Sequence, residues 1–343
     1  MKKETEVAIL GMVQMFIQSD ISEAPLTPEI LGEALNKVLA LNSIWDAEAD
    51  RDQLLAILET RFSIWIGTAA ELIDYEGHVP WLAARKLDLQ WDYWNRYRIL
   101  SQKQIADASL DELDNVTDRI LSHLEDPTRE GSWDRRGLVV GHVQSGKTAN
   151  YAGLITKAVD SGYKIIIVLA GLHNSLRSQT QIRLEEAFLG YESNPPGESR
   201  GLRPTGVGLI NPNPLLRPDS ITNRSERGDF NKAVAGNFSI NPGGRPLLFV
   251  VKKHPSVLKN IIEWVEWASN GTDADTGRKF VLGVPLLIID DEADNASVDT
   301  KGQVFDEFGQ PDGEHDPSTI NSRIRTLLML FEQRAYVGYT ATP

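Results

Sequence analysis

The sequence contains no cysteine and only six histidines in 343 residues. The lack of thiols excludes disulfides, iron–sulfur clusters and thiolate zinc sites, and the scattered histidines do not form a metal cluster. Long apolar runs are also missing, since the longest, residues 165–172, is well short of the roughly 20 residues that a membrane span needs. The first residues, MKKETE, lack the apolar core of a signal peptide. We therefore expect a cytoplasmic protein without membrane contact.

The net charge of −13 is concentrated in the amino-terminal part of the chain. Residues 1–130 contain 24 acidic and 12 basic side chains, whereas residues 131–343 contain 24 acidic and 23 basic ones. Within the second part, residues 165–260 contain 12 basic and 7 acidic side chains. The acidity of the whole chain argues weakly against nucleic-acid binding. The argument does not apply to the central stretch, which is basic.

Apolar spacing divides the chain into two predicted domains. Residues 1–130 carry apolar side chains at helical spacing, which predicts a helical accessory domain with a linker at its end. From residue 131 strands alternate with helices, which predicts an α/β domain with a mainly parallel sheet. An insertion rich in Arg, Pro and Gly interrupts this domain at about 190–245. The predicted strands are 137–141, 164–170, 205–210, 246–251, 285–290 and 335–340, and the predicted helices are 147–160, 173–188, 255–268 and 318–333.

Two stretches allow more than one interpretation. The aromatic residues between 81 and 97, which alternate with arginines and a lysine, could stack nucleic-acid bases. The favoured alternative is a helix that packs an aromatic stripe into a core. The arginines of the 190–245 insertion could likewise contact phosphates or belong to a solvated surface loop. The aromatic residues in question are Trp81, Trp91, Tyr93, Trp94 and Tyr97.

The segment GHVQSGKT at residues 141–148 follows an apolar strand and precedes a predicted helix. Its glycines allow backbone N–H groups to converge on a phosphate, at the positive end of the following helix. Lys147 can reach the β- and γ-phosphates and Thr148 can bind Mg²⁺. The segment therefore predicts a site for ATP and Mg²⁺. The predicted phosphate-binding residues are Gly141, His142, Val143, Gln144, Ser145, Gly146, Lys147 and Thr148.

A second motif, LLIIDDEAD at residues 286–294, ends an apolar strand in a cluster of acids. In nucleotide hydrolysis one carboxylate holds Mg²⁺ and a neighbouring one orients the attacking water. We assign Asp291 to the metal, Glu292 to the water as catalytic base and Asp294 to coupling with a third motif. Asp290 is the rival metal residue if the frame shifts by one position.

The third motif, YVGYTATP at residues 336–343, places Thr340 and Thr342 after another strand, where their hydroxyls could hydrogen-bond the acids. In this order the three motifs resemble the first RecA-like domain of superfamily-two helicases and translocases. In that family the segments matching residues 169–179 and 250–258 contact the nucleic-acid backbone. The resemblance makes Arg177, Lys252 and Lys253 candidate DNA contacts, with helix caps and surface charges as the alternative.

A closer resemblance covers residues 131–343. Residues 133–151 and 169–184, with the acidic and TAT motifs, are similar to the Z-one domain family. Its members are bacterial, are often labelled endonucleases and are encoded beside restriction–modification or phage-defence genes, some with an Hsp90-like or MORC-like ATPase. The resemblance implies a helicase-like ATPase that acts on DNA in antiviral defence, beside a partner nuclease or such an ATPase.

Superfamily-two motors also need a second RecA-like domain, which supplies arginine fingers. Since the sequence ends just after the third motif, we expect a fragment that binds nucleotide better than it hydrolyses it. Two other functions stay open. One is a nucleotide-gated assembly module that recruits a partner nuclease or ATPase without translocating, and the other is an endonuclease. The nearest pieces of a nuclease motif, residues 218–219 and 299–301, lie far apart and are interpreted as chance.

Overall fold

The computed structural model describes residues 3–20, 28–62, 77–103, 105, 107–140, 146–193, 202–274, 276–293 and 317–340. Among the predicted site residues, Gly141 to Ser145, Asp294 and Thr342 lie outside the described residues. None of the helices in the described ranges is both long and apolar enough to cross a membrane.

The first four helices build a hydrophobic cluster of their own. Ile9, Val13 and Ile17 recur every four residues along the first helix, so they form one buried stripe. Pro28 opens the second helix, where its missing N–H costs nothing. The four helices are α1 (Lys3–Asp20), α2 (Pro28–Leu39), α3 (Ser43–Glu48) and α4 (Arg51–Phe62).

The next helices share a core with the sheet domain. Helices α6 (Asp92–Ser101) and α7 (Asp107–His123) pack against α8 (Lys147–Ser161), the helix that follows the phosphate-loop segment, and α5 (Leu82–Arg85) packs against α7. Trp81, Trp94 and Tyr97 are buried in one cluster with Leu154 of α8. The aromatic stripe therefore fills a core, as favoured above, and its rings are not available to stack on bases. The domain boundary near residue 130 stays a prediction.

Six parallel strands form the central sheet, in the order β1-β8-β7-β2-β4-β3. The predicted α/β class with a mainly parallel sheet, preceded by a helical region, is confirmed and is consistent with a RecA-like domain. A small antiparallel pair, β5 with β6, lies outside this sheet. The strands are β1 (Trp133–Val140), β2 (Ile165–Ala170), β3 (Asp219–Ser220), β4 (Leu247–Val251), β5 (Gly271–Thr272), β6 (Lys279–Phe280), β7 (Leu286–Asp291) and β8 (Gln333–Thr340).

Helices cover both faces of the sheet. The end of α9 (Asn174–Leu184), which continues as a π-helical segment at Glu185–Leu189, shares the core of α8. On the other face lie α12 (Pro255–Ala268) and α13 (Pro317–Leu328). Side chains alternate along a strand, so Leu287 and Ile289 of β7 face α8 while Leu286 and Ile288 face α12.

The predicted strand at 205–210 is wrong. The structure has a short helix there, α10 (Val207–Ile210), which packs against α6 and the π-helical segment. A short apolar run does not distinguish a strand from a helix by itself. The edge of the sheet is instead filled by β3, which pairs with β4. Helix α11 (Lys232–Ala235) follows, also within the predicted insertion.

Candidate functional site

The carboxyl ends of four strands meet at one edge of the sheet. Asp291 at the end of β7 is in register with Ala170 of β2 and with Tyr339 of β8. Thr340, which is buried, is in register with Val140, the last residue of β1. Parallel strands bring their carboxyl ends to the same side, where open α/β sheets bind ligands. The structure therefore gathers the described parts of all three predicted motifs.

Helix α8 begins at this edge. Gly146 precedes it with a φ of 92°, a left-handed conformation that favours glycine. The N–H of Asn150 donates to the Gly146 carbonyl at 2.8 Å, which closes the first helical turn. Lys147 and Thr148 are thus the first residues of the helix, at its positive end. An anion at this edge would be stabilised by both the helix and the lysine.

The hydroxyl of Tyr151 lies between two oxygen-bearing side chains of the site. It is 3.4 Å from Thr148 Oγ1 and 3.4 Å from Asp291 Oδ2. The buried ring packs edge-on against Tyr339, with centroids 5.7 Å apart. Burial raises the pKa of Tyr151 well above its ordinary value, so the hydroxyl keeps its proton and acts as a donor. The Tyr151 hydroxyl therefore lies between the hydroxyl of Thr148 and the carboxylate of Asp291 and can donate its proton to either of them.

The rival metal residue, Asp290, is already paired with Lys253 and Tyr336. Its carboxylate is fully buried and lies 2.5 Å from Nζ of Lys253. It also accepts a hydrogen bond of 2.6 Å from the hydroxyl of Tyr336. Because neighbouring strand residues face opposite sides of the sheet, Asp291 alone turns toward α8. The geometry favours Asp291 as the acid beside the phosphate-loop helix.

The acids at this edge could hold a divalent cation. Burial raises the pKa of Asp291, and the neighbouring Glu292 raises it further, while Lys147 and Lys253 lower it. In the described part of the chain no group of three or more His, Cys, Asp or Glu could hold a metal ion alone. Mg²⁺ does not require such a group, because it commonly takes one or two protein oxygens and completes its shell with water and phosphate. The oxygens of Thr148 and Asp291 fit that ligand set.

Glu292 adopts a strained backbone conformation directly after β7. Its φ is 60°, which no other non-glycine residue within the described ranges has in the positive region. Such a conformation costs of order 1–3 kcal/mol and persists only where the surroundings hold it. Lys253 Nζ donates to the Glu292 carbonyl at 2.5 Å, and the next N–H, of Ala293, donates to the Tyr339 carbonyl at 2.8 Å. The carboxylate of Glu292 lies near Gly171, the residue that follows β2. Its Oε2 would be 3.5 Å from a Cβ atom added at Gly171.

Two of the residues predicted to contact DNA, Arg177 and Lys253, are buried in the structure. Arg177 donates to the carbonyls of Asn223 at 3.0 Å and Val250 at 3.4 Å, and its side chain is inaccessible to solvent. Lys253 is equally buried in its pair with Asp290. Both charges lie below the surface, and a role in DNA binding stays a prediction for them. Lys252 is only half-buried and stays a prediction.

Three further contacts of this edge were not predicted. Arg183 of α9 donates from Nη1 to Thr148 Oγ1 at 3.0 Å. Tyr339 donates to Asn150 Oδ1 at 2.8 Å, which ties β8 to α8. The contact between Tyr151 and Thr148 could have been found from the sequence, because residues three positions apart lie on the same side of a helix. The contact between Arg183 and Thr148 could not, because it depends on how α9 packs beside α8.

These elements define an α/β protein whose charged and hydroxyl side chains meet at the carboxyl edge of a parallel sheet. A scan against models of protein families found no match, and a search of curated proteins found no relative. The chemistry of the chain is therefore inferred from the residues at this edge.

Proposed function

We propose that the chain binds ATP with Mg²⁺ and hydrolyses it. One observation carries the proposal: the Tyr151 hydroxyl lies 3.4 Å from both Thr148 Oγ1 and Asp291 Oδ2, at the amino end of α8. Nucleotide hydrolases of the phosphate-loop type hold Mg²⁺ with a loop hydroxyl and a strand-end acid. Thr148 and Asp291 are 143 positions apart by residue number, and their shared proximity to the Tyr151 hydroxyl supports the proposal.

Each side chain then has a defined task. Lys147 would bind the phosphates, and Thr148 with Asp291 would hold Mg²⁺, which would supply positive charge to neutralise the phosphates. Glu292 accepts a proton from the attacking water as the water oxygen bonds to the γ-phosphorus and the bond to the bridging oxygen breaks. The products are ADP and inorganic phosphate. Residues 141–145 complete the phosphate contacts through their backbone N–H groups in this proposal.

The resemblance to the Z-one domain family extends the proposal to DNA. We infer a helicase-like or translocase-like module that acts on DNA in the cytoplasm of a bacterium, in antiviral defence beside a nuclease or an Hsp90-like or MORC-like ATPase. Support from the described residues is limited to Lys252 and to exposed arginines such as Arg203 and Arg227 in the predicted insertion. Arg224, another arginine of that insertion, is already paired with Glu185 and Glu192.

Phosphate release with and without DNA tests the proposal. We expect Lys147→Ala to lower ATP hydrolysis by roughly 100-fold or more, because it removes a charge-assisted contact to the phosphates. The matched control is Lys279→Ala, which removes an exposed lysine of β6. Unchanged hydrolysis in Lys147→Ala would falsify the proposal.

A second function is favoured by the burial of Arg177 and Lys253, which places two of the three predicted DNA contacts below the surface. It is a nucleotide-gated assembly module that recruits a partner without translocating. Glu292→Gln separates the two, because it keeps nucleotide binding and blocks hydrolysis. An assembly module keeps partner recruitment in this variant, whereas a motor loses strand movement. Metal-dependent DNA cleavage that survives Lys147→Ala would instead favour an endonuclease.

A further inference from the structure

Arg183 is placed beside the phosphate-loop helix by a different element. It belongs to the last turn of α9, which contacts α8, and its side chain is exposed. Its Nη1 donates to Thr148 Oγ1 at 3.0 Å. The guanidinium therefore touches the hydroxyl that the proposed function assigns to Mg²⁺.

No carboxylate of the described residues forms an ion pair with Arg183. The other arginines nearby are committed: Arg177 donates to buried carbonyls, and Arg224 is paired with Glu185 and Glu192. A guanidinium carries five N–H donors in a planar fork that matches phosphate geometry. Among the described residues Arg183 uses one of these donors for Thr148 and pairs with no carboxylate, so its charge and its remaining donors can act on a ligand at the site.

We propose that Arg183 is a catalytic arginine supplied within the same domain, which contacts the γ-phosphoryl group of the bound nucleoside triphosphate. This rests on the proposed function, because it requires a nucleotide at Lys147 and Thr148. In the proposed site the Thr148 hydroxyl would hold the metal next to the phosphates, so an arginine that contacts this hydroxyl would also be able to reach the γ-phosphate. The donors of Arg183 stabilise the charge on the γ-phosphoryl oxygens as water attacks phosphorus and the bridging bond breaks.

Binding of two ligands tests this role without relying on turnover. We would measure the affinity of the protein for ADP with Mg²⁺ and for ADP with Mg²⁺ and aluminium fluoride, which mimics the phosphoryl group in transfer. Arg183→Ala should leave ADP affinity within about threefold and lower affinity for the aluminium fluoride complex by roughly 100-fold. ATP hydrolysis should fall by about the same factor or more, since arginine fingers contribute 10³–10⁵. Arg183→Lys should restore only part of both, because lysine lacks the fork.

Arg325→Ala is the matched control. Arg325 is also an exposed arginine in the last turn of a helix, but α13 lies on the opposite face of the sheet. Thermal unfolding shows whether each variant is folded. If Arg183→Ala is not folded, the two affinities of Arg183→Lys test the role of Arg183 instead.

Equal losses for ADP and for the aluminium fluoride complex would overturn the assignment, as would no loss for either. If Lys147→Ala still abolishes ADP binding in those cases, the nucleotide site stands and only the role of Arg183 fails. If the unmodified protein binds neither ligand, both proposals fail together.

Discussion

The two faces of the central sheet use adjacent acids for different purposes. On the α8 face, Asp291 is only partly covered and lies near the Tyr151 hydroxyl and the start of α8. On the α12 face, Asp290 is fully buried against Lys253 and Tyr336. Side chains alternate along a strand, so a shift of one position moves a carboxylate from the edge beside the start of α8 into a core.

Lys253 connects the two faces. Its ammonium group pairs with Asp290 and also donates to the Glu292 carbonyl, in the strained turn after β7. Its own N–H donates to the Gly171 carbonyl at 2.8 Å. The buried pair therefore holds the turn that carries the proposed catalytic base.

The largest effect is expected from breaking this buried pair. Lys253→Ala leaves Asp290 as an uncompensated buried charge, which should lower the free energy of unfolding by about 3–5 kcal/mol. Urea unfolding followed by circular dichroism measures it. The matched control is the half-buried neighbour, where Lys252→Ala should change stability by about 0.5 kcal/mol or less.

A double variant sharpens the same prediction. Lys253→Met combined with Asp290→Asn removes both charges and should recover part of the lost stability, because replacing a whole buried pair costs less than breaking it. A loss below about 1 kcal/mol in Lys253→Ala would show that water or another group compensates Asp290, and the contrast between the two faces would be weaker than the structure indicates.

A medium effect on stability is expected from adding a side chain at Gly338, where the strands pack closely. Gly338 of β8 is in register with Asp290, and a Cβ there would meet Ala293 Cβ at 2.9 Å and Leu138 Cδ1 at 3.0 Å. Gly338→Ala should therefore cost about 1–3 kcal/mol of stability. Gly137→Ala, on the adjacent strand with no atom within 4 Å of the new Cβ, is the control. Equal costs for the two variants would contradict the packing at Gly338.

The general arrangement of the site could be predicted from the sequence. Apolar strands that end in GHVQSGKT, in DDEAD and in TAT predict one shared sheet edge, and the register of β1, β7 and β8 agrees for their described residues. The choice between Asp290 and Asp291 stayed open for a physical reason. A fully buried strand is apolar on both faces, so its pattern does not reveal which face carries α8.

The individual cations could not be predicted. Arg177 and Lys253 carry full charges in sequence, yet their partners lie 37 to 73 positions away along the chain, at Asp290 and Val250. Burial of a charge depends on such distant partners, which local composition does not show. The same limit applies to Arg183, whose contact with Thr148 needs the packing of α9 beside α8.

A smaller effect on stability is expected from pH, through a buried acid on the α8 face. Asp160 in the last turns of α8 accepts hydrogen bonds from the N–H groups of Tyr93 at 3.0 Å and Trp94 at 2.8 Å. Burial raises the pKa of Asp160 to about 7, against these two hydrogen bonds, which lower it. Between an unfolded pKa near 4 and a folded pKa near 7 the folded state binds more protons. Stability should therefore fall as pH rises through this window, by about 1.4 kcal/mol per pH unit at most.

Unfolding free energies at several pH values measure this effect. Asp160→Asn removes the titrating group and should flatten the dependence between about pH 4 and pH 7. Asp111→Asn, at an exposed position of α7, should leave the slope as it is in the unmodified protein. An identical slope in Asp160→Asn would mean that another group controls the pH dependence.

The smallest effect is expected at Lys252, the one predicted DNA contact of the described set that is not fully buried. Lys252→Ala should leave folding unchanged but reduce the slope of log binding constant against log salt by about 0.9 on duplex DNA, the loss of one phosphate contact. Fluorescence anisotropy with labelled DNA at several salt concentrations measures it, with Lys279→Ala as the exposed-lysine control. Although Lys252 and Lys253 are neighbours in sequence, their alanine variants should have different effects. Lys252→Ala should change the salt slope, and Lys253→Ala should change stability. If Lys252→Ala leaves the slope intact, no predicted cation of this edge contacts DNA, and the assembly function gains over the motor.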